Sequence, residues 1–159
     1  MRCFGVAILL ICTPAVAEDF CGFEIHCSTV EAAEVVRSND SMTLATHTRG
    51  GRVEDVNING GPLKGATAVC LGFFDDKLYQ VIVVVDPKKI SQGQLAKLAE
   101  RKYGPSLSTK STGQFKYLQK RDEFVVTVVE NNGSIGICFV DVVMQKACEK
   151  YKLDEIGSL

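Results

Sequence analysis

Five apolar residues stand in an unbroken row from Val81 to Val85, and Phe124 to Val129 repeats the pattern with only Thr127 to interrupt it. A strand in a sheet with one wet face alternates apolar and polar positions, because successive side chains point to opposite faces. Strands that do not alternate need cover on both sides. Helices can supply one cover. The other comes from further helices and loops of the same chain, from the N-terminal segment, from a bound partner or from a second copy of the chain, so a homodimer is one of the arrangements expected.

Around these runs the hydropathy pattern has period two. Met42–Arg49 and Arg52–Asn59 flank Gly50-Gly51, which can take the positive φ of a two-residue hairpin turn. Ala66–Phe74 and Leu78–Val85 flank Asp75-Asp76-Lys77, and Asp86-Pro87 ends that hairpin. Read strictly in period two, Leu78, Ile82 and Val84 share one face, while Tyr79, Val81, Val83 and Val85 share the other. A meander follows over 114–120, 123–130 and 134–140, with Asn132-Gly133 in its last turn.

Three helices are expected. Ser28, three residues ahead of Glu31, makes a capping box that starts a helix running to about Arg37 and burying Val30, Ala33 and Val36. Ser91 caps a second, with Ile90, Leu95, Leu98 and Tyr103 as its apolar stripe and Gly104-Pro105 as its stop. Val142–Tyr151 is the third, facing inward through Val143, Ala147, Cys148 and Tyr151. A short apolar segment, Phe20–His26, precedes them all. The fold class that results is α+β: a mostly antiparallel sheet of six to eight strands with three helices packed mainly on one face. The order of capped helix, then antiparallel strands, occurs twice, at 28–85 and 91–140.

Residues 1–17 read as a cleavable signal peptide. Arg2 supplies the positive start, Phe4–Ile11 the apolar stretch, and Ala15-Val16-Ala17 the small residues that signal peptidase accepts. The apolar stretch is about half the roughly 20 residues a membrane span needs, so no stable membrane insertion is expected. Leu9-Leu10-Ile11-Cys12 is the rival, a lipidation site with a bulky residue before its cysteine. Residues 18–159 then form a single exported domain, periplasmic or extracellular. Arg2 is the one charge lost with the leader, which takes 18 basic residues to 17 against 19 acidic, a net of −2. That balance gives no reason to bind nucleic acid.

Cys21, Cys27, Cys70, Cys138 and Cys148 remain after the leader is removed. In an oxidising compartment some should pair, and the disulfide candidates are Cys21, Cys27, Cys70 and Cys148. Cys70 is expected to bond with Cys21 or Cys27, and Cys138 to lie buried in the last strand. Cys21 and Cys27 can bond each other only if the chain turns at Gly22.

No catalytic motif accompanies this scaffold. His26 and His47 are the two histidines. Cys21, His26 and Cys27 lack the paired two-to-four spacing of structural zinc ligands. Gly133-Ser134-Ile135-Gly136 is a hairpin turn, not a nucleophile elbow. Asp75-Asp76 is a turn pair open to water. No cofactor site is read. A hydrolase would need a centre assembled from scattered residues such as Ser41, His47 and Asp55. A carrier of a small apolar ligand would hold it against Val81–Val85 and Phe124–Val129.

Several phrases resemble those of small exported bacterial binding domains. Gly22-Phe23-Glu24-Ile25 leading into Ser28-Thr29-Val30-Glu31-Ala32 is similar to their opening strand and capped helix. Phe73 to Val81 resembles their F-x-D-G-K-L-x-x-V hairpin, with Asp76 where the pattern has glycine. Lys102-Tyr103-Gly104-Pro105 is similar to their helix end. Families of this style are the SmpA/OmlA outer-membrane assembly lipoproteins and the β-lactamase-inhibitor proteins. The resemblance implies a non-catalytic module that contacts, or inhibits, another envelope or secreted protein. It carries over no functional residue.

Overall fold

The computed structural model describes residues 19–106, 114–119, 123–131 and 133–157. The leader read over 1–17, Glu18, residues 107–113 of the expected polar loop, 120–122, Asn132 and 158–159 lie outside these residues. The chain opens with a small hairpin, β1 (Asp19–Phe20) and β2 (Phe23–Glu24). It turns at Cys21 and Gly22, both at positive φ (56° and 87°). Then follow α1 (Thr29–Arg37), β3 (Met42–Gly50), β4 (Val53–Gly60), β5 (Ala66–Phe74) and β6 (Lys77–Val85). The second half is α2 (Gln92–Tyr103), β7 (Gln114–Gln119), β8 (Phe124–Asn131), β9 (Ser134–Asp141) and α3 (Val142–Gly157).

Strands β3 to β9 form one seven-stranded antiparallel sheet in the order β3-β4-β5-β6-β9-β8-β7. The fold is α+β, as the alternation of capped helix and strands predicts. Each half starts with a helix, places its next strand at an outer edge and works inward. The halves meet at β6 and β9, where Val81 lies opposite Phe139, Val83 opposite Ile137 and Val85 opposite Ile135.

Those six side chains belong to the main core, with Val69, Leu71, Phe73, Val126 and Val128 from neighbouring strands. Helix α1 contributes Ala32 and Val36, α2 contributes Leu95 and Ala99, and the N-terminal hairpin contributes Phe20 and Phe23. The N-terminal segment therefore joins the helices on this face. Phe139 is fully buried between Phe20 and Phe124, with ring centroids 5.2 and 5.3 Å away. Truncating it to alanine should cost about 3–5 kcal/mol. Helix α3 packs on the opposite face and only at one corner, where Cys148 meets Val53, Phe74 and Tyr79. Two of the three helices thus share a face.

The expected capping box forms at α1, and the Ser91 cap of α2 proves to be a second one. Ser28 and Glu31 close the first, and Ser91 and Gln94 the second. Gly104 ends α2 at φ +83°, as the glycine-proline stop predicts. Several facings differ from the sequence reading. Val30 of α1 and Leu98 of α2 stand 65 % and 48 % exposed, and Ala32, Ala96 and Ala99 are buried instead. Helix α3 faces inward through Met144, Cys148 and Tyr151, while Val143 is exposed. In α1 and α2 an alanine takes the close approach and a branched residue is left outside, whereas α3 leaves Ala147, also expected inside, exposed with Val143.

Strand β6 departs from strict alternation. Gly72 lies opposite Gln80 and Phe73 opposite Leu78, so Tyr79 is an extra residue in a bulge. Leu78 is therefore buried in the same core as Val81, Val83 and Val85 rather than siding with Ile82 and Val84.

The first hairpin turns one residue later than Gly50-Gly51 suggests. Gly50 pairs with Val53, and Gly51 takes the positive φ of +59°. A turn at 50–51 would set Arg49 against Arg52. The observed register sets Arg49 against Glu54, with Arg49 Nε 3.6 Å from Glu54 Oε1. Arg52 is released to pair with Asp75 and to lie over Phe74 and Tyr151, 4.6 and 5.4 Å from their ring centroids.

Candidate functional site

The face of the sheet that α1 and α2 leave alone is apolar across its middle strands. Its positions follow from the register. One row reads Ala68, Val84, Gly136 and Val129 across β5, β6, β9 and β8. The next reads Cys70, Ile82, Cys138 and Thr127, and the third Gly72, Gln80, Val140 and Val125. Apart from the two buried glycines, every one of these residues is half-buried. They shield one another sideways, but no core cluster of the described residues lies over them. Toward β3 and β4 the same face turns polar, through Thr46, Thr48, Asp55 and Asn57. The surface is apolar in its middle and rimmed on one side by hydroxyl, amide and carboxylate groups, with a pocket where Thr48, Asp55 and Asn57 meet Cys70, Gln80 and Ile82.

The scattered triad of Ser41, His47 and Asp55 is not assembled. His47 lies opposite Val56 and faces the helix side, while Asp55 lies opposite Thr48 on the open face. Ser41 sits before β3, its Oγ bonded to Asn39 Oδ1 at 2.7 Å and to the Gly61 carbonyl at 3.0 Å. A sheet separates the histidine from the acid.

Both histidines instead meet buried carboxylates. His47 Nε2 lies 2.9 Å from Glu54 Oε2, and His26 Nε2 lies 2.7 Å from Asp141 Oδ2. The sequence hid these pairs for different reasons. Glu54 is the diagonal neighbour of His47 across a hairpin, visible only once the register is right. Asp141 is 115 residues from His26. Among the described residues no group of three or more His, Cys, Asp and Glu side chains is placed to hold a metal ion.

The cysteine expectation requires correction. All five described cysteines are free. Cys70 faces the open side beside Asp55, Gln80 and Ile82, whereas Cys21 and Cys27 pack against the core on the other side. The sheet lies between them, so the bridge from Cys70 to either cannot close without unfolding. Cys148 is buried on the inward face of α3, against Tyr79. The chain does turn at Gly22, yet Cys21 and Cys27 remain unpaired. Burial pushes both of their thiols up to about 11 and also raises those of Cys70 and Cys138.

The carrier site read from Val81–Val85 and Phe124–Val129 is filled on its inner side. Val81, Val83, Val126 and Val128 are 0 % exposed within the core. Sequence reading found the apolar runs but missed Ala68, Cys138 and Val140, which complete the open face. Only strand order brings them together. No helix among the described residues is long and apolar enough to cross a membrane. Comparison of the chain with protein-family models, curated proteins and solved structures finds no match.

Proposed function

We propose that this chain is a non-catalytic binding module that works outside the cytosol and contacts another folded protein through the open face of its sheet. One observation carries the reading: Ile82, Val84, Val125, Val129 and Val140 form a continuous half-exposed apolar surface, and α3 covers only the corner beside it. Solvated apolar surface of this kind is stabilised by whatever covers it.

The size of the patch bears on the partner. Four strands by six residues span about 19 by 20 Å. A second copy stacked on that patch alone would bury about 800 Å² in total, below the roughly 1,200 Å² of a stable specific interface. A different protein that also engages the polar rim at Thr48, Asp55 and Asn57 reaches further. Export is the second half of the reading, and it rests on the leader pattern of 1–17.

A photo-crosslinking residue placed at Val84, with a control at the exposed Lys97 of α2, tests the surface in cells that make the protein. The expected result is one adduct of defined mass at position 84, absent at 97 and lost when Val129→Lys is added. Equal labelling at both positions, or none at 84, overturns it. Mass spectrometry of the exported fraction should find a chain beginning at Glu18; an intact Met1 overturns the location.

A further inference from the structure

On the opposite side of the sheet, between α1 and the strands β3 to β5, lies a cavity of about 330 Å³. Its floor is Val56 and Leu71, and its helical wall is Ala32, Ala33 and Val36. The cavity exists because α1 turns small side chains toward the sheet. Ala32 and Ala33 do not reach across the gap, and Val30, which could have filled it, is rotated outward. The size falls at the lower end of the range for small-molecule sites.

Three further observations say what would fit. First, the entrance is apolar: Val30 and Leu44, on the helix and strand walls, are 65 % and 57 % exposed and are two of the six most exposed large hydrophobics among the described residues. Second, among the described residues the lining contains no carboxylate, but it holds Arg37 from the last turn of α1 and His47 from β3. Third, His47 is held from behind. Its Nε2 points at Glu54 Oε2, a buried carboxylate that can only accept, so Nε2 carries a proton and Nδ1 is the nitrogen left for a ligand, an acceptor in the neutral ring and a donor in the imidazolium. Arg49 meets the other oxygen of Glu54, which keeps that acid turned away from the cavity.

We infer that this cavity binds a small amphipathic organic acid, its apolar chain against Val36, Val56 and Leu71 and its carboxylate between Arg37 and His47. A neutral apolar molecule would leave Arg37 and His47 unused. An apolar cation would meet Arg37 with like charge and no carboxylate to offset it. An acid satisfies both ends, because a guanidinium and an imidazolium, its Nδ1–H donating while Nε2–H stays on Glu54, are the donors a carboxylate pairs with best. The site lies across the sheet from the proposed protein-binding face and does not depend on it.

The test uses the chain from Glu18 onward with octanoate, and with 1-octanol, octylammonium and acetate as its uncharged, cationic and short counterparts. The chain has no tryptophan, so binding is read from methyl chemical shifts and calorimetry. Octanoate should shift the Val56 and Leu71 methyls and bind at least tenfold more tightly than octanol, with octylammonium and acetate weaker still. Arg37→Gln and His47→Gln should each weaken octanoate about fivefold or more and leave octanol unchanged. Ala33→Phe, which fills the space, should abolish both. Equal affinity for octanoate and octanol overturns the charge assignment. Shifts at Val84 and Val129 in place of Val56 and Leu71, or octanoate binding that survives Ala33→Phe, overturns the site. Should Ala33→Phe fail to fold, the two glutamine variants decide alone.

Discussion

Asp76, at the tip of the β5–β6 hairpin, reaches 47 residues back along the chain to cap α1: its Oδ1 accepts from the Thr29 backbone N–H at 2.9 Å and from the Thr29 hydroxyl at 2.7 Å. The four leading N–H groups of a helix have no partner within it. In α1 the Ser28 hydroxyl takes that of Glu31, and Asp76 takes that of Thr29. The arrangement explains a departure from pattern. Asp75 and Asp76 both sit at positive φ, 53° and 57°, in a two-residue turn that ordinarily favours asparagine and glycine. Glycine at 76 would fit the turn with less strain. It would leave the helix start without its second acceptor.

Substitution separates the two roles. Asp76→Ala keeps the unfavourable backbone and loses the cap, and should lower stability by about 1–2 kcal/mol. Asp76→Gly loses the same cap but relieves the turn, and should stay within about 1 kcal/mol of the parent. Urea unfolding of both measures the difference. Equal losses would mean that the turn carries no strain.

Acid should expose the same contact. Hydrogen bonds from the backbone N–H and hydroxyl of Thr29 hold Asp76 below the usual carboxylate range. Ser28 does the same for Glu31, and Arg52 for Asp75. A carboxylate depressed by folding adds stability that is fully present above its unfolded pKa, near 4, and is lost as pH falls through the folded value. The melting temperature should hold level from neutral pH to about 5 and fall below about 4. Asp76→Asn should make that fall shallower. An unchanged acid limb would show that the contact does not persist in solution.

The fold was legible wherever local signals and tertiary packing agree. The serine of each capping box, the stop at Gly104-Pro105 and the boundaries of β5 all follow from residues within a few positions of one another. What could not be read depended on distant partners. Leu78 changes face because of one extra residue at Tyr79, and nothing in the run Leu78–Val85 marks a bulge. The register of β3 and β4 needed a comparison of cross-strand charges, Arg49 against Glu54 rather than Arg52. The open face was half visible, since Ile82 and Val84 lie in a run that does not alternate. Ala68, Cys138 and Val140 joined it only through strand order, and the cavity under α1 follows from which side Val30 takes.

The thiols offer a check on the whole arrangement. With Cys21 and Cys27 pushed up to about 11 by burial, little thiolate is present at pH 8. Iodoacetamide should label the native chain slowly at both, and slowly at Cys148, which is 1 % exposed. All five should react promptly in urea. A reducing agent should leave the melting temperature unchanged, because the described cysteines form no bridge. A fall of several degrees on reduction would reveal a disulfide and overturn the free-thiol arrangement.

Asp141 joins three elements at the point where β9 becomes α3. Its Oδ1 accepts from the backbone N–H groups of Val143 and Met144, both at 2.9 Å, and its Oδ2 meets His26 Nε2 at 2.7 Å. The His26 backbone N–H in turn donates to the Leu78 carbonyl at 2.9 Å, which ties the N-terminal segment to β6. Asp141→Ala removes the cap and the histidine contact together, and should cost about 2 kcal/mol. Asp141→Asn retains an oxygen able to cap the helix and should cost less than about 1 kcal/mol. Because Cys148 lies on the inward face of α3 against Val53, Phe74 and Tyr79, the alanine variant should also speed labelling of that thiol while leaving Cys21 unaffected. Equal costs for the two variants would place the stabilisation in the His26 contact rather than in the helix start.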